Sequence, residues 1–356
     1  MTKIDYILLV PFLLFGCVQG PEKDEFATTQ PSGLFSLTDT AEIMDVYFSD
    51  PEQRIDGDYR NGPDDFLVEA IKKAKISVDI AVYSLNLWSI RDALKDAFHR
   101  GLQVRIVMDS DNISDEVPQE LQAEGISILG DRRESLMHNK FIIIDRQDVW
   151  TGSMNLTVGS VFYDNNNLIH VHSTDIAENY LAEFDEMFLR DMFGQDVVAD
   201  TPHPQVMEGN SQFEVFFSPD DDVSGHIVDL VNKAEESIYF MAYSFTSDVI
   251  AAAIIERSQA GILVTGLMDE DQISSNTGTE YDPFLSAGII VLKDGNSGLM
   301  HNKVIIIDRK IVITGSYNFS KSAETKNDEN VIVIHNPDIS KRYLLEFEKL
   351  FTQAGS

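Results

Sequence analysis

The sequence predicts an α/β protein built as two tandem lobes, each a mixed β-sheet flanked by helices. Three observations predict it. First, short apolar runs alternate with segments of helical apolar spacing along most of the chain, as when helices pack outside a sheet. Second, one stretch occurs twice. Met137-His138-Asn139-Lys140-Phe141-Ile142-Ile143-Ile144-Asp145-Arg146, followed by Thr151-Gly152-Ser153-Met154-Asn155, returns as Met300-His301-Asn302-Lys303-Val304-Ile305-Ile306-Ile307-Asp308-Arg309 and Thr314-Gly315-Ser316-Tyr317-Asn318. The spacing is constant, 301 − 138 = 163 and 318 − 155 = 163, and it persists to the pairs Tyr180/Tyr343 and Phe188/Phe351. Third, the 356 residues are 43% hydrophobic and 24% charged, enough for two packed domains of ordinary size.

The first lobe is expected over 42–193, a linker with two prolines over 194–212, and the second lobe over 213–356. Met44 to Phe48 reads as a strand, matched by Val215 to Phe217 in the second lobe. Residues 53–65 are polar and read as a loop. Phe66 to Lys75 has helical spacing at Phe66, Leu67, Ala70, Ile71 and Ala74. Ile76 to Tyr83 is a strand, and Ile90 to Arg100 a helix stopped by Gly101, a C-cap residue. Strand Gln103 to Met108, a short helix at Pro118 to Ala123 and strand Ile126 to Leu129 lead to the first duplicated stretch. Strand Leu168 to His172 and helix Ile176 to Phe193 close the lobe. The second lobe repeats the order: helix Val223 to Ala234, strand Ser237 to Tyr243, helix Asp248 to Gln259, strand Leu263 to Met268, the second duplicated stretch, strand Val331 to His335 and helix Ile339 to Gln353. His170, His172 and His335 lie on strands outside the duplicated stretches and read as structural.

The Ile-rich run after each His-x-Lys reads as a buried strand. Residues two apart on a strand share a face, so His138 projects with Lys140 and His301 with Lys303. The Thr-Gly-Ser turn returns Ser153 and Asn155, and likewise Ser316 and Asn318, to the same edge. Two imidazoles, two ammoniums, two hydroxyls and two amides fit a phosphodiester. Lysines and amides hold its non-bridging oxygens. One histidine attacks phosphorus, and the other protonates the leaving alkoxide and then activates water. A zinc site is disfavoured, because the lysine two residues on repels a metal. No metal and no cofactor are expected.

His-x-Lys, four residues, Asp, six residues and Gly-Ser-x-Asn resembles the HKD motif of the phospholipase D superfamily, present here twice. The resemblance implies two lobes packed with pseudo-two-fold symmetry around one shared active site, working through a phosphohistidine. It makes His138 and His301 nucleophile and acid/base, with a lean to His138 as nucleophile. It makes Lys140, Lys303, Asn155 and Asn318 phosphate-binding, Ser153 and Ser316 secondary contacts, and Asp145 and Asp308 structural. The family often places an acidic residue downstream to orient its histidine. Glu329 stands there in the second copy, while the first copy has Asn166 (329 − 166 = 163). The expectation is that Glu329 serves His301 and gives it the higher pKa. Arg132 and Arg133 precede His138, either as phosphate contacts or as a solvated loop.

The formal net charge of −32 opposes long-range attraction to nucleic acid and anionic lipid. The one cysteine, Cys17, excludes an intramolecular disulfide. It follows an apolar run from Tyr6 to Phe15 too short to span a bilayer, and the Leu14-Phe15-Gly16-Cys17 junction resembles a bacterial lipoprotein signal. The expectation is therefore a signal peptide over 1–16, lipidated Cys17, a flexible tether over 17–41 and an extracytoplasmic, membrane-tethered enzyme acting on phospholipid. A nuclease reading stands beside it, because Lys321 to Asn330 resembles the small bacterial endonuclease branch of the superfamily. A phosphatidyl transferase and a non-catalytic binding protein are the other readings. With both motifs in one chain a monomer suffices.

Overall fold

The computed structural model describes residues 43–53, 57 and 59–355; the expected signal peptide, Cys17 and the tether lie outside them. Among the described residues no helix is long and apolar enough to cross a membrane. The first sheet has strands β1 (Met44–Phe48), β2 (Ser77–Val82), β3 (Gln103–Met108), β4 (Ser127–Gly130), β5 (Lys140–Ile144), β6 (Asp148–Gly152) and β7 (Asn167–His172). The second has β8 (Gln205–Glu208), β9 (Ser211–Ser218), β10 (Ser237–Ala242), β11 (Leu263–Met268), β12 (Ile290–Lys293), β13 (Lys303–Ile307), β14 (Ile311–Gly315) and β15 (Glu329–His335). Their orders are β1-β7-β6-β5-β2-β3-β4 and β12-β11-β10-β13-β14-β15-β9-β8. Read from opposite ends, these are one topology, with β8 added. β8 falls inside the stretch expected to be a linker, and pairs antiparallel with β9. Both sheets are mixed: β2, β3 and β4 run parallel, and β5 runs antiparallel to β2.

Helices α1 (Asp64–Lys73), α2 (Trp88–His99), α3 (Glu116–Glu124), α4 (Val158–Phe162) and α5 (Thr174–Arg190) belong to the first lobe. The second carries α6 (Val223–Asn232), α7 (Asp248–Gln259), α8 (Glu270–Ser275), α9 (Tyr281–Ser286), α10 (Lys321–Thr325) and α11 (Pro337–Ala354). The apolar residues among those described divide into three cores. Helices α1 to α3 bury Leu67, Ile71, Ile90, Leu94 and Leu121 against the outer face of the first sheet. Helices α6, α7 and α9 bury Ile227, Val231, Ile250, Ile254 and Phe284 against the second. The third core lies between the sheets and is shared. There Tyr180 and Phe184 of α5, Tyr343 and Phe347 of α11, and the inner faces of both sheets pack together. This explains why β5 and β13 are apolar throughout: each is buried on both faces.

The duplicated stretch makes the same local structure in each lobe. Asp145-Arg146 and Asp308-Arg309 all have positive φ, between 52° and 57°, as the two central residues of a type I′ turn demand, and each turn lies in a three-residue hairpin loop. The Asp145 carboxylate accepts the backbone N–H groups of Lys75, Ile76 and Ser77. Asp308 does the same for Glu235, Glu236 and Ser237. These two aspartates tie hairpin to neighbouring strand at the end away from the histidines.

Gly152 and Gly315 end β6 and β14 with φ of +137° and +149°. A Cβ would stand 2.4 Å from the Asn167 carbonyl oxygen at Gly152, and 2.1 Å from that of Asn330 at Gly315. Both obstacles are backbone. Gly315→Ala is therefore expected to cost about 2 kcal/mol or more, read as a lower melting temperature; an unchanged melting temperature would contradict the close approach.

Candidate active site

The site is assembled across the two lobes. His138 stands just before β5, where Lys140 pairs with Val82 of β2. Tyr83 follows β2, and its ring meets the His138 ring edge-on at 5.3 Å. Tyr243, after β10, holds its ring tilted against that of His301 at 4.7 Å. The Lys140 and Lys303 ammoniums lie 5.6 and 4.7 Å from the Tyr83 and Tyr243 ring centroids. Each ammonium donates to the carbonyl of its own histidine, at 2.9 and 2.7 Å. One step back, Asp109 at the end of β3 accepts the N–H of Met137, and Asp269 at the end of β11 that of Met300.

Each histidine is held by the opposite lobe. The backbone N–H of His138 donates to the carbonyl of Asp328, and that of His301 to the carbonyl of Asn165. The side chains follow. His138 Nδ1 lies 2.7 Å from Glu329 Oε2, and His301 Nδ1 lies 2.9 Å from Asn166 Oδ1. The expected pairing of Glu329 with His301 is thus corrected: the carboxylate serves His138, and the amide serves His301. The reason is the seam, where Met137 pairs with Asp328 and Met300 with Asn165 in short parallel bridges. Asn166 Nδ2 donates to the Ser160 carbonyl, which fixes the amide with its oxygen towards His301.

A ring of amides closes the seam. Asn330 Nδ2 donates to Asn139 Oδ1 at 3.0 Å, and Asn167 Nδ2 to Asn302 Oδ1 at 2.8 Å. Thr151 and Thr314 donate across to the Asn330 and Asn167 oxygens, and the Tyr343 hydroxyl also reaches Asn167. All four asparagines are fully buried. Sequence reasoning passed over them, and over Asp109 and Asp269. The signal was available for the asparagines, which recur at the 163-residue spacing.

The remaining expected residues divide. Asn155 and Asn318 are half-buried, and in each the side-chain oxygen is buried without a partner. A matched pair of unsatisfied amide edges suits an incoming polar ligand. Ser153 and Ser316 are fully buried. Ser153 Oγ donates to Asn166 and accepts from Asn167, and Ser316 Oγ accepts from Asn330. Both hydroxyls are spent behind the histidines, on the residues that orient them. Arg133 pairs with Asp328 and Arg132 with Asp191, so both loop arginines are engaged within the protein.

Burial dominates the electrostatics. It pulls Lys140 down to about 7, with Glu329 and Asp109 acting against it. Lys303 is pulled well down by burial and by the Lys140 charge. Burial and both lysines hold each histidine well below its ordinary value, and burial pushes Glu329 up to about 8. In this buried cleft the nearby carboxylates do not offset the cost of burying two lysines side by side. An anion bound there favours the charged lysines and raises their affinity for protons. The Lys140 pKa being depressed, the free site loses this proton as pH rises through about 7, and binding must then restore it. Sulfate, whose own charge is constant, is expected to bind about tenfold more weakly at pH 8 than at pH 6. Titration calorimetry in buffers of differing ionisation enthalpy should show proton uptake; equal affinity at both pH values would contradict it.

Residues 67–188 and 227–351 match the model of the family described as "Cardiolipin synthase, PLD-like domain", once in each lobe. The chain is 36% identical over 160 residues to "Phospholipase D" of Rickettsia bellii (strain RML369-C), covering 43% of this chain and 79% of that protein. It is 32% identical over 124 residues to "Mitochondrial cardiolipin hydrolase" of Chlamydomonas reinhardtii, covering 35% of this chain and 55% of the relative. The solved structure of phosphatidylserine synthase from Haemophilus influenzae Rd KW20 shares the fold, with TM-score 0.63 at 12% identity over 88% of this chain and 86% of that one.

Proposed function

Because the chain belongs to the phospholipase D-like family and is a phosphodiesterase, we propose that it releases the headgroup of a phospholipid through a phosphohistidine on His138. The observation that carries this reading is the reciprocal cross-lobe holding of the two histidines, which makes one site from two motifs. With Nδ1 of His138 engaged by Glu329, Nε2 is left to attack phosphorus. The P–O bond to the leaving alkoxide breaks as the P–N bond forms, and His301 gives that oxygen its proton. In the second step His301 takes a proton from water, the water oxygen attacks phosphorus, and the P–N bond breaks. Lys140, Lys303, Asn155 and Asn318 hold the non-bridging oxygens and the charge that develops on them.

The two partners separate the roles. A carboxylate stabilises the imidazolium that forms when His138 attacks. A neutral amide stabilises a cationic His301 less, so that His301 releases its proton more readily. Lipid is favoured as substrate by the similarity to a phospholipase D and a cardiolipin hydrolase, by the net charge of −32, and by the lipoprotein-like junction at Cys17, which would place the enzyme on an envelope membrane. The test is turnover in EDTA by the chain from Cys17 onward, on phosphatidylcholine or phosphatidylethanolamine vesicles and separately on single-stranded DNA, beside His301→Ala. Headgroup release lost in the variant is the expected result. Cleavage of DNA alone would replace this reading with a nuclease, and an alcohol consumed in place of water would make the enzyme a transferase.

A further inference from the structure

The two lobes are near-duplicates at the histidines, yet differ beside them. On the first lobe a cavity of about 440 Å³ opens between the start of α2, the start of α1 and α4. Its walls continue from residues of the site. Asn86 to Ser89 follow Tyr83 on one side, and Val158 to Phe162 follow Asn155 on the other. The Asn86 and Leu87 N–H groups both donate to the Leu156 carbonyl, which joins the two walls. Tyr59, Trp88 and Phe162 line the cavity. Trp88 stands 64% exposed, and the Tyr59 and Phe162 rings meet edge-on at 5.4 Å.

A carboxylate also lines it. Asp64 is 2% exposed; its Oδ2 accepts from Ser89 at 2.7 Å, its Oδ1 is buried with no side-chain partner, and burial raises its pKa against the backbone N–H groups of Asp64 and Asp65 at the start of α1. No lysine or arginine among the described residues lines the cavity; the nearby Arg91 guanidinium, 5.7 Å from the Trp88 ring centroid, is paired with Asp92 and Glu120. A buried oxygen of this kind is costly unless a donor or cation meets it. The second lobe carries different residues at three positions of the arrangement. At the 160-residue spacing of Tyr83 and Tyr243, Ser224 replaces Asp64 (224 − 64 = 160) and Asp248 replaces Trp88 (248 − 88 = 160). At the 163-residue spacing Thr325 replaces Phe162. Duplication preserved the chemistry and left one flank of the site built differently.

We infer that this cavity is a binding site for an alkylammonium group, with the aromatic walls facing the cation and Asp64 as its counter-charge. Aromatic faces attract organic cations, more strongly when both are desolvated, and a cavity of aromatic and apolar side chains with a few convergent polar groups is the usual form of a small-ligand site. The ligand class covers the ammonium of a phospholipid headgroup and a free amino alcohol arriving as acceptor. The first source rests on the phospholipase reading above; the site itself does not.

Choline chloride is the first probe, titrated into the intact chain by calorimetry. Saturable binding is expected, about tenfold weaker in Asp64→Asn and in Trp88→Ala, as for one desolvated cation contact. Trp88 is largely exposed, so its variant keeps the test valid where Asp64→Asn fails to fold. Absence of saturable binding, or equal binding by a folded variant, overturns the inference. The second arm compares phosphatidylcholine with phosphatidylglycerol. A kcat/KM ratio that falls about tenfold in the variants assigns the ammonium to the lipid. Choline binding with an unchanged ratio assigns the cavity to a free cation, and choline binding with no lipid turnover keeps the cavity while rejecting the phospholipase reading.

Discussion

Replacing His138 by Ala is expected to lower kcat by about 10⁴-fold or more, and His301→Ala to do nearly the same on a natural substrate, with little further loss in the double variant. The near-equality follows from the geometry, since each lobe holds the other's histidine and neither motif has a complete site alone. The two single variants part on a nitrophenyl phosphodiester. Its leaving group needs no proton, so His301→Ala retains the first step and lacks the base for the second. A phosphoryl adduct should then accumulate on the peptide that contains His138, acid-labile and visible by mass spectrometry. An adduct on His301 in the complementary variant, with none on His138, would reverse the roles. A single alanine variant with near wild-type turnover would end the shared-site reading.

Glu329→Gln is the second large effect, expected to reduce kcat by about 10²- to 10⁴-fold. The amide preserves shape, and it removes the charge that favours an imidazolium at His138. Asn166→Ala, on the other histidine, removes a neutral acceptor and is expected to cost about tenfold. Histidine titration by NMR adds a readout that stability cannot mimic. Glu329→Gln should move the His138 ring resonances and leave those of His301 nearly in place. A change confined to His301 would show that the cross-lobe pairing does not govern the ionisation.

Much of the fold was legible because the chain carries its own comparison. Wherever the two copies agree, as at Asn139 and Asn302 or Gly152 and Gly315, a shared backbone demand or contact stands behind the agreement. The same logic failed for Glu329. Spacing along the chain ties it to His301, 28 positions earlier (329 − 301 = 28), whereas contact across the seam ties it to His138. Strand β8 was hidden for another reason. Gln205-Val206-Met207-Glu208 follows Pro204 and buries only Val206, so its strand character comes from pairing with β9 and not from its own pattern. Arg132 and Arg133 looked available beside the site because their partners, Asp191 and Asp328, lie 59 and 195 positions away (191 − 132 and 328 − 133).

The crossed holding of the histidines has a consequence for how such a gene diverges. In a duplicated chain each half is usually free to drift while the other retains the ancestral role. Here a replacement in the first half is felt in the second: Asn at 166 alters the histidine at 301, and Glu at 329 governs the one at 138. Divergence after duplication therefore divides the labour between two once-equivalent residues without touching either. It also binds the halves together in inheritance, since neither one, passed on alone, carries a complete instruction for its own histidine.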